Sequence, residues 1–225
     1  MKNTFLKYFY KFTNRQKYND IKNIERTNNA LDVFKTKYEN QINEIQVKIN
    51  TKNNLSFLHS GHIGDIINVL PVIKDLSKHH TCDLYININK PLEIKHYAHQ
   101  AGDVYLNNKI YEMLEPLLNS QKYINKVEIY KDQNVDVNFD LLRALPINLL
   151  FDNLRYGTLI SGVQPDINQP YLEVEPHKEL KNKITVLRSL RYQNQFISYN
   201  FLENYNNILF IGTRDEYIAL KKNVK

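Results

Sequence analysis

The segment Leu55-Ser56-Phe57-Leu58-His59-Ser60-Gly61-His62-Ile63-Gly64-Asp65-Ile66-Ile67-Asn68-Val69-Leu70-Pro71-Val72-Ile73-Lys74 decides how this chain is read. Leu55 to His59 is an apolar run of strand length. From Asp65 to Lys78 the residues Ile66, Ile67, Val69, Leu70 and Ile73 recur at helical spacing and form one apolar side. Leu84 to Ile88 supplies the next strand. Strand, glycine-containing turn, helix and strand, in that order, open a right-handed βαβ unit and therefore a parallel sheet in an α/β protein. The turn Gly61-His62-Ile63-Gly64-Asp65 then belongs at the carboxyl edge of the sheet, where open α/β folds place ligands.

Upstream of this unit the pattern is helical. Ile21, Ile24, Leu31, Tyr38, Ile42, Ile45 and Ile49 follow a 3-4 spacing that is interrupted at Asn28 and at Lys35, beside Phe34. One long amphipathic helix is expected, either as a short coiled coil with a second copy, giving a homo-oligomer, or packed back onto the body. No glycine or proline precedes Gly61, so residues 1–53 read as a helical extension ending near Asn53. Downstream, Tyr111 to Leu118 reads as helix, Val127 to Tyr130 as strand and Leu149 to Ile160 as helix. Residues 54–164 thus form one Rossmann-like domain. Pro165, Pro170 and Pro176 mark residues 165–182 as a linker, because proline breaks both helices and central strands. A second unit spans residues 183–225: strand Lys183 to Leu187, a helix around Ile197 to Glu203, strand Ile208 to Ile211 and the start of another helix. Two strands and two helices cannot cover both faces of a sheet, so this unit is expected to be incomplete and the chain truncated.

At 225 residues and 42% hydrophobic, the chain is large enough for a real core and is not a disordered tail. The 30 basic and 24 acidic residues read as interspersed, so the net charge of +6 is a diffuse bias and no nucleic-acid partner is expected. Cys82 is the single cysteine and cannot close an internal disulfide, which fits a reducing compartment. No run approaches the roughly 18 apolar residues of a membrane span, and no signal-peptide core opens the chain. A cytoplasmic protein is expected. The opening Met1-Lys2-Asn3-Thr4-Phe5-Leu6-Lys7-Tyr8-Phe9-Tyr10-Lys11 is basic and aromatic, which suits either peripheral contact with an anionic membrane or a frayed terminus.

Asp65 has two readings. As a first-turn residue it satisfies backbone donors and the helix dipole. As a catalytic carboxylate it accepts a proton from a hydroxyl nucleophile across a cleft. Ser60, Gly61, His62 and Gly64 line the same turn and are the candidate substrate contacts. The turn lacks the Lys-Ser/Thr pair of a phosphate-binding Walker loop and the three glycines of a dinucleotide fingerprint. His59, His62, His79 and His80 do not make a metal set, since His79 and His80 are adjacent and point apart. No metal or cofactor is expected.

The stretch Phe57 to Lys74 resembles the opening of the heptosyltransferase-type glycosyltransferases (family 9), whose first strand leads into a Gly-Asp-φ-φ-x-x-φ-Pro turn and helix, φ being apolar. Gly64-Asp65-Ile66-Ile67-Asn68-Val69-Leu70-Pro71 carries the match. The resemblance implies a GT-B fold, two Rossmann-like domains facing a cleft, and an inverting, metal-independent transfer from a nucleotide-sugar donor to a saccharide acceptor, with Asp65 as general base. It further implies donor-phosphate contacts at Arg188, Ser189 and Arg191, which otherwise read as a solvated loop. Ile211-Gly212-Thr213-Arg214-Asp215-Glu216 resembles the family's Gly-x-x-x-Glu turn, so Gly212 and Glu216 fall in the nucleotide site, or Glu216 lies at a helix start. Family chains are longer and lack the N-terminal helix. The alternative from another class is a non-catalytic sugar- or partner-binding module that oligomerises through that helix.

Overall fold

The computed structural model describes residues 2–92, 101–145, 153–187 and 196–223. The chain divides into two compact units, Met1–Val174 and Glu175–Lys225. The first unit opens with helices α1 (Lys2–Thr13) and α2 (Arg15–Val33), a π-helical turn at Phe34–Tyr38, and α3 (Glu39–Thr51). It continues with β1 (Asn54–His59), α4 (Ile63–Leu76), β2 (Thr81–Ile86), α5 (Asn108–Asn119), β3 (Lys126–Ile129), β4 (Val137–Asn138), α6 (Leu141–Ala144) and α7 (Asn153–Ser161).

The four strands are all parallel, in the order β3-β2-β1-β4. The chain steps outward from β1 to β3 and then returns to the other side of β1 with β4. This is a Rossmann-like order, and its topological switch point lies between β1 and β4. The strands form because their apolar residues can be covered. Leu55, Phe57, Leu58, Cys82, Leu84, Ile86 and Val137 are all buried, and Phe57 stacks on Phe139 with centroids 5.8 Å apart and planes 9° from parallel. On α4, Ile66, Val69, Leu70, Val72 and Ile73 are fully enclosed. Each such side chain contributes about 1.5–3 kcal/mol over leaving it in water.

Several expected boundaries shift, each for a local reason. The long helix begins earlier, at Arg15, where the Asn14 side chain accepts from the Lys17 N–H at 3.1 Å as an N-cap. The break in periodicity near Lys35 coincides with the π-helical turn, which resets the helical register. Ile42, Ile45 and Ile49 on α3 are thereby turned into the core, so this part of the helix packs on the body, against α7. The second strand runs from Thr81 to Ile86, not Leu84 to Ile88. Polar Thr81 and Asp83 alternate with Cys82 and Leu84 and pair with β1 from Asn54 onward, a start that an apolar run does not reveal. Beyond it the chain leaves the sheet, with Asn89 in the left-handed region at φ 59°. β4 and α6 have no counterpart in the sequence reading. Residues 149–152 of the helix expected from Leu149 lie outside the described residues.

Cys82 is buried, its Sγ 3.9 Å from the Ile73 carbonyl oxygen, and burial pushes its thiol up to about 12. Residues 162–174 have no regular structure, yet they are fastened to the first unit. Lys74 Nζ donates to the Pro170 carbonyl at 3.0 Å, Tyr123 Oη to the Tyr171 carbonyl at 2.7 Å, and the Glu173 N–H to Gln121 at 2.8 Å. The first half of the segment read as a linker is therefore a strap on this unit.

The second unit contains β5 (Ile184–Leu187) and β6 (Ile208–Ile211), paired in parallel with Ile184 beside Ile208, followed by α8 (Arg214–Asn223). A short 3-10 turn, Asn200–Asn204, stands where a helix around 197–203 is expected. No helix among the described residues is long and apolar enough to cross a membrane.

Candidate active site

β1 ends at His59, and the next six residues build a compact polar cluster at the switch point. The His59 ring is fully buried. Its Nδ1 accepts from the Gly61 N–H at 2.8 Å, so the ring proton resides on Nε2, which meets no hydrogen-bond partner among the described residues. Burial, offset in part by Asp140, lowers the imidazole to about 4 and keeps it neutral.

Ser60 is also buried. Its N–H donates to Asp140 Oδ1 at 2.8 Å and its hydroxyl donates to Asp140 Oδ2. Asp140 follows β4 by two residues, so this bond joins the carboxyl ends of neighbouring strands. Lys90 Nζ reaches Asp140 Oδ2 at 2.9 Å, and Arg143 Nη1 reaches Oδ1 at 3.0 Å. Burial pushes the Asp140 carboxyl up, but the hydrogen bonds from Ser60 and Lys90 outweigh it and hold the group below the ordinary carboxylate value.

Asp65 is the third residue of α4. Its Oδ2 accepts from the His62 N–H at 3.1 Å and from Arg143 Nη2 at 3.3 Å, and its side chain remains 23% exposed. Arg143 therefore bridges the two carboxylates, Asp65 and Asp140, while its guanidinium lies 4.2 Å from the centroid of the Tyr105 ring. Tyr105 and Lys90 come from a short antiparallel ribbon in which the Tyr105 N–H donates to the Lys90 carbonyl and the Leu92 N–H to the Asp103 carbonyl. His62 donates from Nδ1 to the Tyr105 carbonyl at 2.8 Å, and its ring lies 5.3 Å from that of Tyr105.

The two glycines of the turn differ. A Cβ on Gly61 would fall 2.5 Å from His59 Cε1, 2.6 Å from Arg143 Nη2 and 2.7 Å from Asp65 Cβ, so the cluster closes only around a glycine. Gly64 is exposed in the first turn of α4, and a Cβ there would meet nothing within 4 Å. The fold makes no demand for a glycine at 64, whereas close approach of a ligand to the helix N-terminus would.

In chemical terms the cluster offers a partly open carboxylate, oriented by an arginine and set at a helix N-terminus, together with a buried neutral histidine. Among the described residues no three His, Cys, Asp or Glu side chains gather as metal ligands would. Sequence reasoning named Ser60, Gly61, His62, Gly64 and Asp65, which the structure brings together. It missed Lys90, Tyr105, Asp140 and Arg143. Nothing local marks Arg143, and the alternation Asp136-Val137-Asn138-Phe139-Asp140 is too short to single out a strand closed by Asp140.

In the second unit, Glu216 lies in the first turn of α8. Its Oε2 accepts from the Thr213 N–H at 2.8 Å, and its own N–H donates to Thr213 Oγ1 at 3.3 Å, a reciprocal capping box. Gly212 lets this carboxylate fold back, since a Cβ would fall 2.9 Å from Glu216 Oε2 and 2.8 Å from Phe210 Cε1. Arg188, Ser189 and Arg191 lie outside the described residues.

The first unit is thus an α/β domain with a Rossmann-like parallel sheet and a polar cluster at its switch point. No family model, curated protein or solved structure matches the chain.

Proposed function

We propose that this chain carries the acceptor-side domain of a GT-B glycosyltransferase of the heptosyltransferase type, with Asp65 as the general base. The carrying observation is the placement of Asp65: a partly exposed carboxylate at the switch point of a Rossmann-like sheet, oriented by Arg143 and adjoining a glycine that packing does not require. In this reading the acceptor hydroxyl gives its proton to Asp65 as its oxygen attacks the anomeric carbon of a nucleotide sugar. The bond to the diphosphate breaks on the opposite side, which inverts the anomeric centre. Arg188, Ser189 and Arg191 receive the growing negative charge of the diphosphate, so no metal is required. Arg143 acts as a positioning residue for the base.

The test is transfer and hydrolysis measured across a panel of nucleotide sugars and saccharide acceptors. Asp65→Asn retains an acceptor for the His62 N–H but cannot take a proton, and is expected to lower kcat by about 10²–10⁴-fold. Unchanged turnover in that variant removes Asp65 from the mechanism.

A second reading, a non-catalytic saccharide- or partner-binding module, is favoured by one observation. Asp65 and Glu216 occupy the same position in their helices, each returning a carboxylate oxygen to the backbone N–H three residues earlier. Saccharide binding with no binding of any nucleotide sugar selects this reading over the enzyme.

A further inference from the structure

α1 presents an aromatic stripe outward. Lys7 pairs with Glu25 of α2, and Tyr10 is half-buried, its ring 5.3 Å from Lys17 Nζ. Phe5, Tyr8, Phe9 and Phe12 recur at i, i+3, i+4 and i+7, the spacing of one helix face, and all are exposed, Phe5 at 77% and Phe12 at 84%. Helices of globular domains turn such a stripe toward a core; here none of the described side chains of α1 or α2 is buried.

Charge follows the same segment. Residues 1–19 contain Lys2, Lys7, Lys11, Arg15 and Lys17 and no acidic residue, whereas the remaining residues hold 25 basic and 24 acidic side chains. The excess that reads as diffuse over the whole chain is therefore concentrated in residues 1–19, on α1 and the first turn of α2. A second copy of the helix would set like charge against like. An anionic lipid surface supplies the opposite charge together with an apolar layer of the depth that one aromatic stripe can enter.

We propose that α1 is an interfacial helix that docks the protein on anionic membranes, with Phe5, Tyr8, Phe9 and Phe12 inserted among the acyl chains and the basic side chains at the headgroups. The proposal is independent of the reaction assigned to Asp65.

The test is co-sedimentation of the full chain with vesicles of phosphatidylcholine, with and without phosphatidylserine. Binding is expected only with phosphatidylserine and is expected to weaken with added salt. The triple variant Phe5→Ser, Phe9→Ser, Phe12→Ser is expected to lose at least about tenfold in affinity. A double variant, Lys11→Glu with Arg15→Glu, is expected to lose a similar factor and tests the charge without touching the stripe. No binding by the unmodified chain at low salt overturns the proposal, as does unaltered binding by the triple variant. Light scattering without vesicles completes the test: a dimer that the triple variant converts to a monomer would assign the stripe to a contact between copies and overturn the membrane reading.

Discussion

Gly61 and Gly64 stand three residues apart and answer to different demands. Gly61 is fixed by packing, with a histidine ring, a guanidinium and the base of Asp65 all within 2.7 Å of the place a Cβ would take. Gly61→Ala is expected to cost about 1–3 kcal/mol through forced displacement of those groups. Gly64 has open space, and as a helical glycine it lowers stability, so Gly64→Ala is expected to raise it by about 0.5–1 kcal/mol. If the exposed glycine serves a ligand, the same substitution weakens binding of nucleotide sugar or saccharide. Urea unfolding followed by circular dichroism, paired with ligand titration, reads both effects. Opposite signs in stability are the expected pattern, with binding weakened in the Gly64 variant in spite of its gain in stability. The glycines and Asp65 were legible as a group, because strand, turn and helix lie within twenty residues and each leaves a local pattern. Their different roles were not, since the groups that surround Gly61 include Arg143 from far along the chain.

Among the elements, β4 shows what holds a strand too short for periodicity to reveal. It pairs with β1 through only Phe57 beside Val137 and Leu58 beside Asn138. Two carboxylates clasp it, one at each end. At the amino end Asp136 accepts from the Ser56 N–H at 3.1 Å, from the Ser56 hydroxyl at 2.9 Å and from Lys52. At the carboxyl end Asp140 accepts from Ser60 and is paired with Lys90 and Arg143. Each clasp joins residues 80 apart in sequence, which is why neither could be read from local spacing. Their energetic weights should differ. Lys52 is 47% exposed, so its pairing with Asp136 is screened by solvent, and Asp136→Asn is expected to cost about 1 kcal/mol. Arg143 is only 11% exposed, and Asp140→Asn would leave that cation without its full partner, an expected cost of about 3–5 kcal/mol. Chemical denaturation of both variants checks the order. Equal losses would mean that Asp140 acts as a backbone clasp alone.

For the molecule as a whole, these buried groups set a two-stage response to acid. His59 takes a proton near 6.5 when unfolded but only near 4 in the fold, because burial disfavours its charged form. Between those values the unfolded chain binds more protons, so this contribution to stability is complete above about 6.5 and is lost as pH falls toward 4. Asp136 and Asp140 lie below the ordinary carboxylate value of 3.8, since hydrogen bonds from Lys52, Lys90, Ser56 and Ser60 outweigh the effect of burial. Their contribution is present above 3.8 and is lost as pH falls through their lower values in the fold. Thermal midpoints measured from pH 7 downward should decline first in the histidine range and again below the carboxylate range. The first decline corresponds to ~1.4 kcal/mol per pKa unit of difference. His59→Asn, which keeps an acceptor for the Gly61 N–H, should remove the upper decline and leave the lower one. The parallel sheet and the helical extension were legible at this scale, because the order strand, turn, helix, strand implies the first and a long 3-4 spacing the second. The strap at 165–174 was not, because prolines that commonly mark a flexible connection here accompany a segment fastened by hydrogen bonds to Lys74, Gln121 and Tyr123.

Cys82 gives the chain a stopwatch of its own. With a single thiol enclosed beneath α4 and its ionisation suppressed by burial, an alkylating reagent at neutral pH can modify only molecules that have momentarily opened. Where labelling under native conditions no longer quickens with added reagent, its rate therefore equals the rate at which the β1–β2 layer opens, with no engineered probe.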